Sequence, residues 1–152
     1  MRALVQRVAN ASVTVNGEET GAIEGGLLVL LGVRTGDTAQ EADWIADKIA
    51  ALRVFPDETG RMNLSLADTG RDALVVSQFT LYGSLKKGTR PSFSSAAAPQ
   101  EAEALYERVV ARLADTLGRP VPTGRFGAHM DVRLLNDGPV TLLLEREASG
   151  AA

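Results

Sequence analysis

The chain has 152 residues, 45% of them hydrophobic and 23% charged, the composition of one average globular domain and not of a disordered, collagenous or coiled-coil chain. It contains no cysteine, so a disulfide framework, a thiol nucleophile and a zinc-thiolate cluster are all excluded. A formal net charge of −3 argues against a protein that coats nucleic acid through a broad basic surface and leaves room only for a local basic patch.

The first third reads as strands. Ala3 to Val8 mixes apolar and polar residues in extended fashion, Ser12 to Val15 alternates, Asn16-Gly17 signals a tight turn, and Thr20 to Ile23 returns as its partner. After Gly25-Gly26, the run Leu27 to Val33 is continuously apolar and short, which predicts a central strand covered on both faces. Thr38 with Glu41 three residues later has the spacing at which a hydroxyl and a carboxylate cap each other's backbone amides. The helix it opens carries Ala42, Ile45, Ala46, Ile49 and Leu52 on one stripe. Pro56 and Gly60 mark a loop, Ala73 to Leu81 reads as a second buried strand, and Tyr82 to Ala98 as a long surface loop. A second helix begins at Pro99, keeps Ala102, Tyr106, Val109 and Leu113 on one face, and is stopped by Gly118 and Pro120. Two closing strands, about Asp131 to Leu135 and Val140 to Glu145, flank Asn136-Asp137-Gly138-Pro139.

Strands, helix, strand, helix, strands is an order that predicts an α/β fold with mixed sheets and both helices on one side. The expected organisation is one domain over residues 1–147 with a flexible tail over 148–152. The N-terminus turns polar too early for a signal peptide, and no run approaches the roughly 18 apolar residues of a membrane span. A cytoplasmic protein without membrane contact is expected.

Common catalytic signatures are missing. Gly25-Gly26 lacks the later glycines and the Lys-Ser/Thr pair of a phosphate loop, and there is no Gly-x-Ser-x-Gly elbow. His129 is the only histidine, so no site can use two imidazoles, and no spacing of carboxylates suggests a metal centre. No metal and no cofactor are expected. Three segments stand out. In Ser77-Gln78-Phe79-Thr80-Leu81-Tyr82, polar groups interrupt an apolar run, and buried polar atoms need partners or a purpose. Strand alternation would put Gln78 and Thr80 on one face and Ser77 and Phe79 on the other, unless the strand ends there. Lys86-Lys87-Gly88-Thr89-Arg90-Pro91-Ser92-Phe93 joins basic residues to an aromatic ring, a combination that holds phosphates and stacks a base, although an ordinary solvated loop has the same look. Asn136-Asp137-Gly138-Pro139-Val140-Thr141 has the chemistry of a hairpin turn.

Taken together, Ser77-Gln78-Phe79-Thr80-Leu81 and Asn136-Asp137-Gly138-Pro139-Val140-Thr141 resemble the two signature motifs of the D-aminoacyl-tRNA deacylase family. Arg2 to Val8, Gly26 to Val33, Lys87 to Phe93 and Gly124 to Met130 are also similar to family segments, in family order. The resemblance implies a three-layer β/β/α fold, a homodimer, and hydrolysis of the ester that joins a D-amino acid or glycine to the terminal adenosine of tRNA. It implies chiral proofreading in translation, with two sites at the dimer interface where a cis Gly-Pro pair enters the partner's pocket. That role falls on Gly138 and Pro139, and the pocket wall and reaction centre on Ser77, Gln78, Phe79 and Thr80. Phe126, Ala128 and Met130 match segments that contact the adenosine or the aminoacyl group, and Arg7 matches an arginine that supports the Gly-Pro loop. His129 departs from a position that is commonly acidic in the family.

An aminoacyl ester is already activated, so an enzyme mainly has to orient it, admit water and stabilise the oxyanion. That chemistry suits a chain with one histidine and no cysteine. Nothing near Thr80 in sequence would take its proton, which favours a positioning role with backbone amides near Phe79 and Thr80 holding the carbonyl oxygen. Lys86, Lys87 and Arg90 are the expected tRNA phosphate contacts. Two rival readings are a non-catalytic module that binds a nucleotide or RNA end, and a threonine hydrolase of small esters or amides.

Overall fold

The computed structural model describes residues 1–148, so the expected tail lies outside the described residues from 149 onward. Its spine is β1 (Arg2–Val15), a single strand of 14 residues where the sequence suggested two shorter pieces. The strand pairs antiparallel with β3 (Gly26–Gly32) along its first half and with β2 (Glu18–Ile23) along its second. Asn16 takes a positive φ of 50° and Gly17 one of 81°, the left-handed pair that a tight hairpin between β1 and β2 requires.

The two halves of β1 serve different cores. Ala3 and Val5 point toward the helices with Leu27, Val29 and Leu31, whereas Val8, Ala11 and Val13 face the opposite side with Ile23, Leu28, Leu74 and Val76. Strict alternation could not put Val8, Ala11 and Val13 together. The strand keeps them on one face by a register shift between Val8 and Asn10, where Ala9 and Asn10 are both exposed. This is the effect of a β-bulge, which also curls the sheet.

Thr38 caps α1 (Ala39–Ala51) as expected, its hydroxyl accepting from the Gln40 amide while the Glu41 carboxylate accepts from the Thr38 amide at 2.7 Å. Those hydrogen bonds hold the Glu41 carboxyl below its ordinary pKa although burial pulls the other way. The segment expected to be a plain loop contains more. A two-strand ribbon, β4 (Phe55–Pro56) with β5 (Met62–Leu64), leads into one helical turn, α2 (Leu66–Thr69), and it sends Phe55 and Leu66 into the core. The last core strand, β6 (Asp72–Ser77), runs parallel to β3. Then α3 (Pro99–Leu117) packs on α1, burying Tyr106, Val109 and Leu113 against Ile45 and Ile49; each such side chain contributes about 1.5–3 kcal/mol of hydrophobic stabilisation. Gly118 ends α3 in the left-handed conformation at φ 71°. None of the described helices is long and apolar enough to cross a membrane.

The closing strands turn out to be one. β7 (Asp131–Glu145) runs antiparallel to β1 along its whole length, from Thr14 opposite Asp131 to Arg2 opposite Glu145. Residues 137–139 are therefore an excursion within one strand and not the tip of a hairpin. A hairpin would reverse the chain, but both halves of β7 run the same way. The result is a curled mixed sheet with α1 and α3 on one side and a second core inside the curl.

Candidate active site

The expected strand Ala73 to Leu81 stops at Ser77. The Gln78 amide still donates to the Leu31 carbonyl at 2.8 Å, continuing the parallel ladder by one step, and then Phe79–Tyr82 forms a single 3-10 turn. Gly32, at the end of β3, makes this possible. A Cβ there would lie 2.9 Å from the Gln78 oxygen and 3.1 Å from Leu81 Cβ, so only glycine lets the turn fold across the strand end. The alternation expected for residues 77–80 does not apply.

A helical turn leaves its first amides without internal partners. The Leu81 amide donates to Gln78 and the Gly83 amide to Thr80. Among the described residues, those of Phe79 and Thr80 have no acceptor. Both side chains are exposed, Phe79 to 59%. The Gln78 carboxamide donates to the Thr80 hydroxyl, and neither end of a carboxamide is a base at neutral pH. The hydroxyl of Thr80 is thus oriented without being activated.

This turn forms one wall of a cleft of about 610 Å³, within the size range of small-ligand sites. Ser77, Gln78 and Phe79 line it on one side, and Phe126, Ala128 and Met130 on another. The loop 124–130 is folded tightly onto this wall. Met130 Sδ accepts from the Arg125 amide at 3.4 Å and occupies the space that a Cβ on Gly124 would need, 2.5 Å away. The Phe126 ring sits against Tyr106 at 5.8 Å between centroids, and the Tyr106 hydroxyl donates to the Val75 carbonyl at 3.2 Å. His129 also borders the cleft, but its side chain is 94% exposed, and its Nε2 lies 3.6 Å from Asp131 Oδ1.

Sequence reasoning pointed to Phe93 but missed the rest of the third wall. Ala96, Ala97, Ala98, Pro99 and Ala102 line the cleft together with Phe93, whose ring meets Phe79 edge-on at 5.0 Å. The run of three alanines before the helix was its only signal: small side chains leave open space at a helix start. Lys86, Lys87 and Arg90 stand on a fully exposed loop. Its base is closed by a reciprocal pair of hydrogen bonds, Ser84 amide to Ser92 carbonyl at 2.8 Å and the reverse at 2.9 Å.

Gly138 and Pro139 lie elsewhere. Their peptide bond is cis, and both residues are exposed. The Asn136 side chain brackets the excursion, its oxygen accepting from the Val140 amide at 2.8 Å and its nitrogen donating to Thr141 Oγ1 at 3.1 Å. Arg7 holds it from below, with Nε donating to the Asp137 carbonyl at 2.8 Å and another guanidinium nitrogen to the Val54 carbonyl at 2.6 Å. A Cβ on Gly138 would lie 2.5 Å from the Val140 nitrogen. In register, this excursion is level with Arg7, whereas Ser77 pairs with Leu31 and hence with Ala3. Four residues along the strands and three strand spacings across amount to a separation on the order of 20 Å. The two signature segments of one chain do not form one site.

Residues 4–145 match the family model described as D-Tyr-tRNA(Tyr) deacylase. The chain belongs to the D-aminoacyl-tRNA deacylase family. It is 61% identical over 97% of its length to the D-aminoacyl-tRNA deacylase of Salinibacter ruber, covering 99% of that protein. The corresponding protein of Opitutus terrae is 55% identical over the same share of each chain. Among solved structures, one described as c-Myc DNA Unwinding Element Binding Protein superposes with a TM-score of 0.91 at 45% identity, covering 97% of this chain and 100% of that one. A probable eukaryotic D-amino acid tRNA deacylase superposes with a TM-score of 0.81 at 18% identity, over 94% of this chain and 97% of that one; at that identity the likeness concerns the fold.

Proposed function

We propose that this protein hydrolyses the ester of D-aminoacyl-tRNA and of glycyl-tRNA, that it leaves L-aminoacyl-tRNA intact, and that it acts as a homodimer. The observation that carries the reading is the pair of unpartnered amides, Phe79 and Thr80, at the turn that borders the cleft, where the Thr80 hydroxyl accepts from a carboxamide and from no base. Two aligned N–H donors are what a developing oxyanion needs, and removing one such donor in other enzymes costs about 10²–10³ in rate. Water adds to the ester carbonyl carbon, negative charge gathers on the carbonyl oxygen against the amides, and the C–O bond to the ribose 3′ oxygen breaks. That oxygen leaves with a proton, which the neighbouring 2′-hydroxyl or water delivers. Free amino acid and tRNA result.

In this reading Phe126, Ala128 and Met130 receive the terminal adenosine and the aminoacyl group, Ser77 and Gln78 shape the wall, and Lys86, Lys87 and Arg90 meet phosphates. The Gly138–Pro139 segment of a second copy completes the cleft. Two features support a symmetric pair. First, the excursion is exposed and about 20 Å from its own cleft by strand geometry. Second, β7 pairs only with β1 among the described strands and exposes Leu134, Leu135, Leu142 and Leu143 along its length. An open strand edge bearing four leucines is a surface that proteins cover. If the Gly138 and Pro139 carbonyls hold the α-amino group while the amides hold the ester, the two remaining directions at Cα differ. A D side chain points out, an L side chain strikes backbone, and glycine has nothing to clash. Cytoplasmic location belongs to the same reading, because aminoacylated tRNA is found there.

Deacylation of matched D- and L-tyrosyl-tRNA by the purified protein is the test. Fast release from the D form only is expected. Equal rates on both would overturn the chiral mechanism, and binding without hydrolysis of either would favour the non-catalytic rival.

A further inference from the structure

A second cleft, of about 410 Å³, lies on the other side of the 3-10 turn, and of its lining residues only Lys86 has a role in the reading above. Arg2, Arg34, Lys86 and Glu147 contribute its charged groups, and Tyr82, Ser84 and Ser95 are also among its lining residues. Among the described residues, three cations and one carboxylate line it, with the Glu145 carboxylate 3.6 Å from Arg2 Nε, in a protein whose net charge is −3. Among the described residues, the Tyr82 hydroxyl is buried without a hydrogen-bond partner, and Arg2 Nε has none nearer than the Glu145 carboxylate, 3.6 Å away. Buried polar atoms in native proteins are nearly always satisfied, and an orphaned one costs roughly 1–3 kcal/mol. An orphaned hydroxyl beside an under-satisfied guanidinium in a cationic cleft points to an acceptor that visits it. Burial pushes the Tyr82 phenol well above its ordinary pKa, so it remains a donor throughout the physiological range.

The position of this cleft identifies the visitor. Gly83 lines it, while Phe93 lines the first cleft. A Cβ on Gly83 would stand 3.0 Å from Phe93 Cε1. The two clefts are therefore separated by one aromatic ring. The Arg2 guanidinium, 4.6 Å from the centroid of the Tyr82 ring, also donates to the Leu81 carbonyl at 2.8 Å, which ties this cleft to the turn that carries Phe79 and Thr80.

We propose that the second cleft binds the RNA phosphate on the 5′ side of the terminal adenosine, so that the single-stranded tail crosses the Gly83–Phe93 wall between base pocket and phosphate pocket. This rests on the tRNA reading of the first cleft. Arginine guanidinium forks and a phenol donor match phosphate oxygens. Glu147, which accepts from Arg34 in the free protein, occupies the anion's position and is displaced by it. The proposal thus assigns Glu147 an inhibitory effect, which a merely structural cleft would not have.

The experiment compares two substrates, D-tyrosyl-tRNA and 3′-O-D-tyrosyl-adenosine, which carries no phosphate. In the double variant R34Q/Y82F, kcat/KM on the tRNA should fall about tenfold, mainly through KM, with little change on the adenosine ester. The dependence of tRNA affinity on salt should weaken, since each lost phosphate contact removes about 0.7 from the logarithmic slope for single strands. Glu147→Gln should act in the opposite direction, improving KM for tRNA a few-fold. Equal losses on both substrates in the double variant, or poorer tRNA use by Glu147→Gln, would overturn the proposal. Binding is measured separately by calorimetry with the trinucleotide CCA and with adenosine, so the pocket is tested even if neither ester is hydrolysed. CCA should bind more tightly than adenosine to the wild type, and the advantage should vanish in the double variant. A cleft that takes inorganic phosphate but gives CCA no advantage would be a free-anion site, and the RNA assignment would fall.

Discussion

The 3-10 turn at Phe79–Tyr82 and the Gly138–Pro139 excursion are both interruptions of a strand, yet they are built in opposite ways. The turn is concave and anchored from behind: Gly32 admits it, the ladder to Leu31 leads into it, and its free amides stand at the edge of a cleft. The excursion is convex and exposed, held by two polar side chains, Arg7 and Asn136, with no apolar packing of its own at residues 137–139. A concave half with donors and a convex half with carbonyls are complementary, but within one chain strand register keeps them apart. The contrast fits the proposed dimer, in which one site would be spread over two motifs that lie apart in the monomer.

Substitutions in the excursion should have the largest effect. Gly138→Ala would put a Cβ 2.5 Å from the Val140 nitrogen and 2.7 Å from its Cγ2, so the backbone must shift by a sizeable fraction of an ångström. Misplacement of about 1 Å costs on the order of 10² in rate where catalysis depends on orientation, and kcat/KM on D-tyrosyl-tRNA should fall by about that factor while the protein stays folded by circular dichroism. Mixing sharpens the comparison. Ala128→Trp blocks the cleft, and a co-refolded mixture with Gly138→Ala should regain roughly a quarter of wild-type activity, because each hybrid dimer holds one intact composite site. No recovery would show that cleft and excursion act within the same chain.

Arg7→Gln comes next. It removes the donors to the Asp137 and Val54 carbonyls, and hydrogen bonds from a charged group contribute roughly 1.5–3 kcal/mol. Activity should drop about tenfold through a loosened excursion, with a parallel loss of stability in urea titration. Thr80→Ala should cost less, tenfold or below, since the hydroxyl only orients while the amide remains. A covalent acyl-threonine trapped from wild type would reverse that ranking and make Thr80 the nucleophile.

Much of the molecule was legible before any coordinates. The Thr38–Glu41 cap, the Asn16-Gly17 turn and the apolar run after Gly26 each carried a local signal strong enough to fix an element. What escaped was set by distant contacts. The end of β6 at Ser77 depends on Gly32, more than 40 residues away in sequence, and nothing in Ser77–Leu81 itself announces a helical turn. Gly138-Pro139 looked like a hairpin because turn residues look alike whether the chain reverses or merely bulges; pairing with β1 decides between them. The bulge at Ala9 and Asn10 was invisible for the same reason. Of the cleft lining, Ser77, Gln78, Phe79, Phe126, Ala128 and Met130 stand in segments that the sequence singled out, whereas the alanine wall does not, because its contribution is the absence of side chain.

The smallest effect belongs to a feature remote from both halves of the comparison. Arg108 forks onto Asp43 at 2.8 and 3.0 Å, and Arg112 onto Asp47 at 2.8 and 2.9 Å, so that α1 and α3 are laced by a two-rung ladder. The arginine hydrogen bonds hold both carboxyls below their ordinary pKa. A lowered folded pKa contributes stability above the unfolded carboxylate pKa of about 3.9 and loses it as pH falls through the lower folded value. The rungs face solvent, where such pairs contribute little. Asp47→Asn should therefore reduce Tm at pH 7 by no more than about 2 °C for a chain of this size, and the gap should close as the pH falls through the lowered folded pKa. Deacylation should be untouched, because the ladder lines neither cleft and does not touch the excursion. If Asp47→Asn slowed hydrolysis as much as Arg7→Gln, the helices would be part of the catalytic assembly, and the division into cleft and excursion would have to include the face on which α1 meets α3.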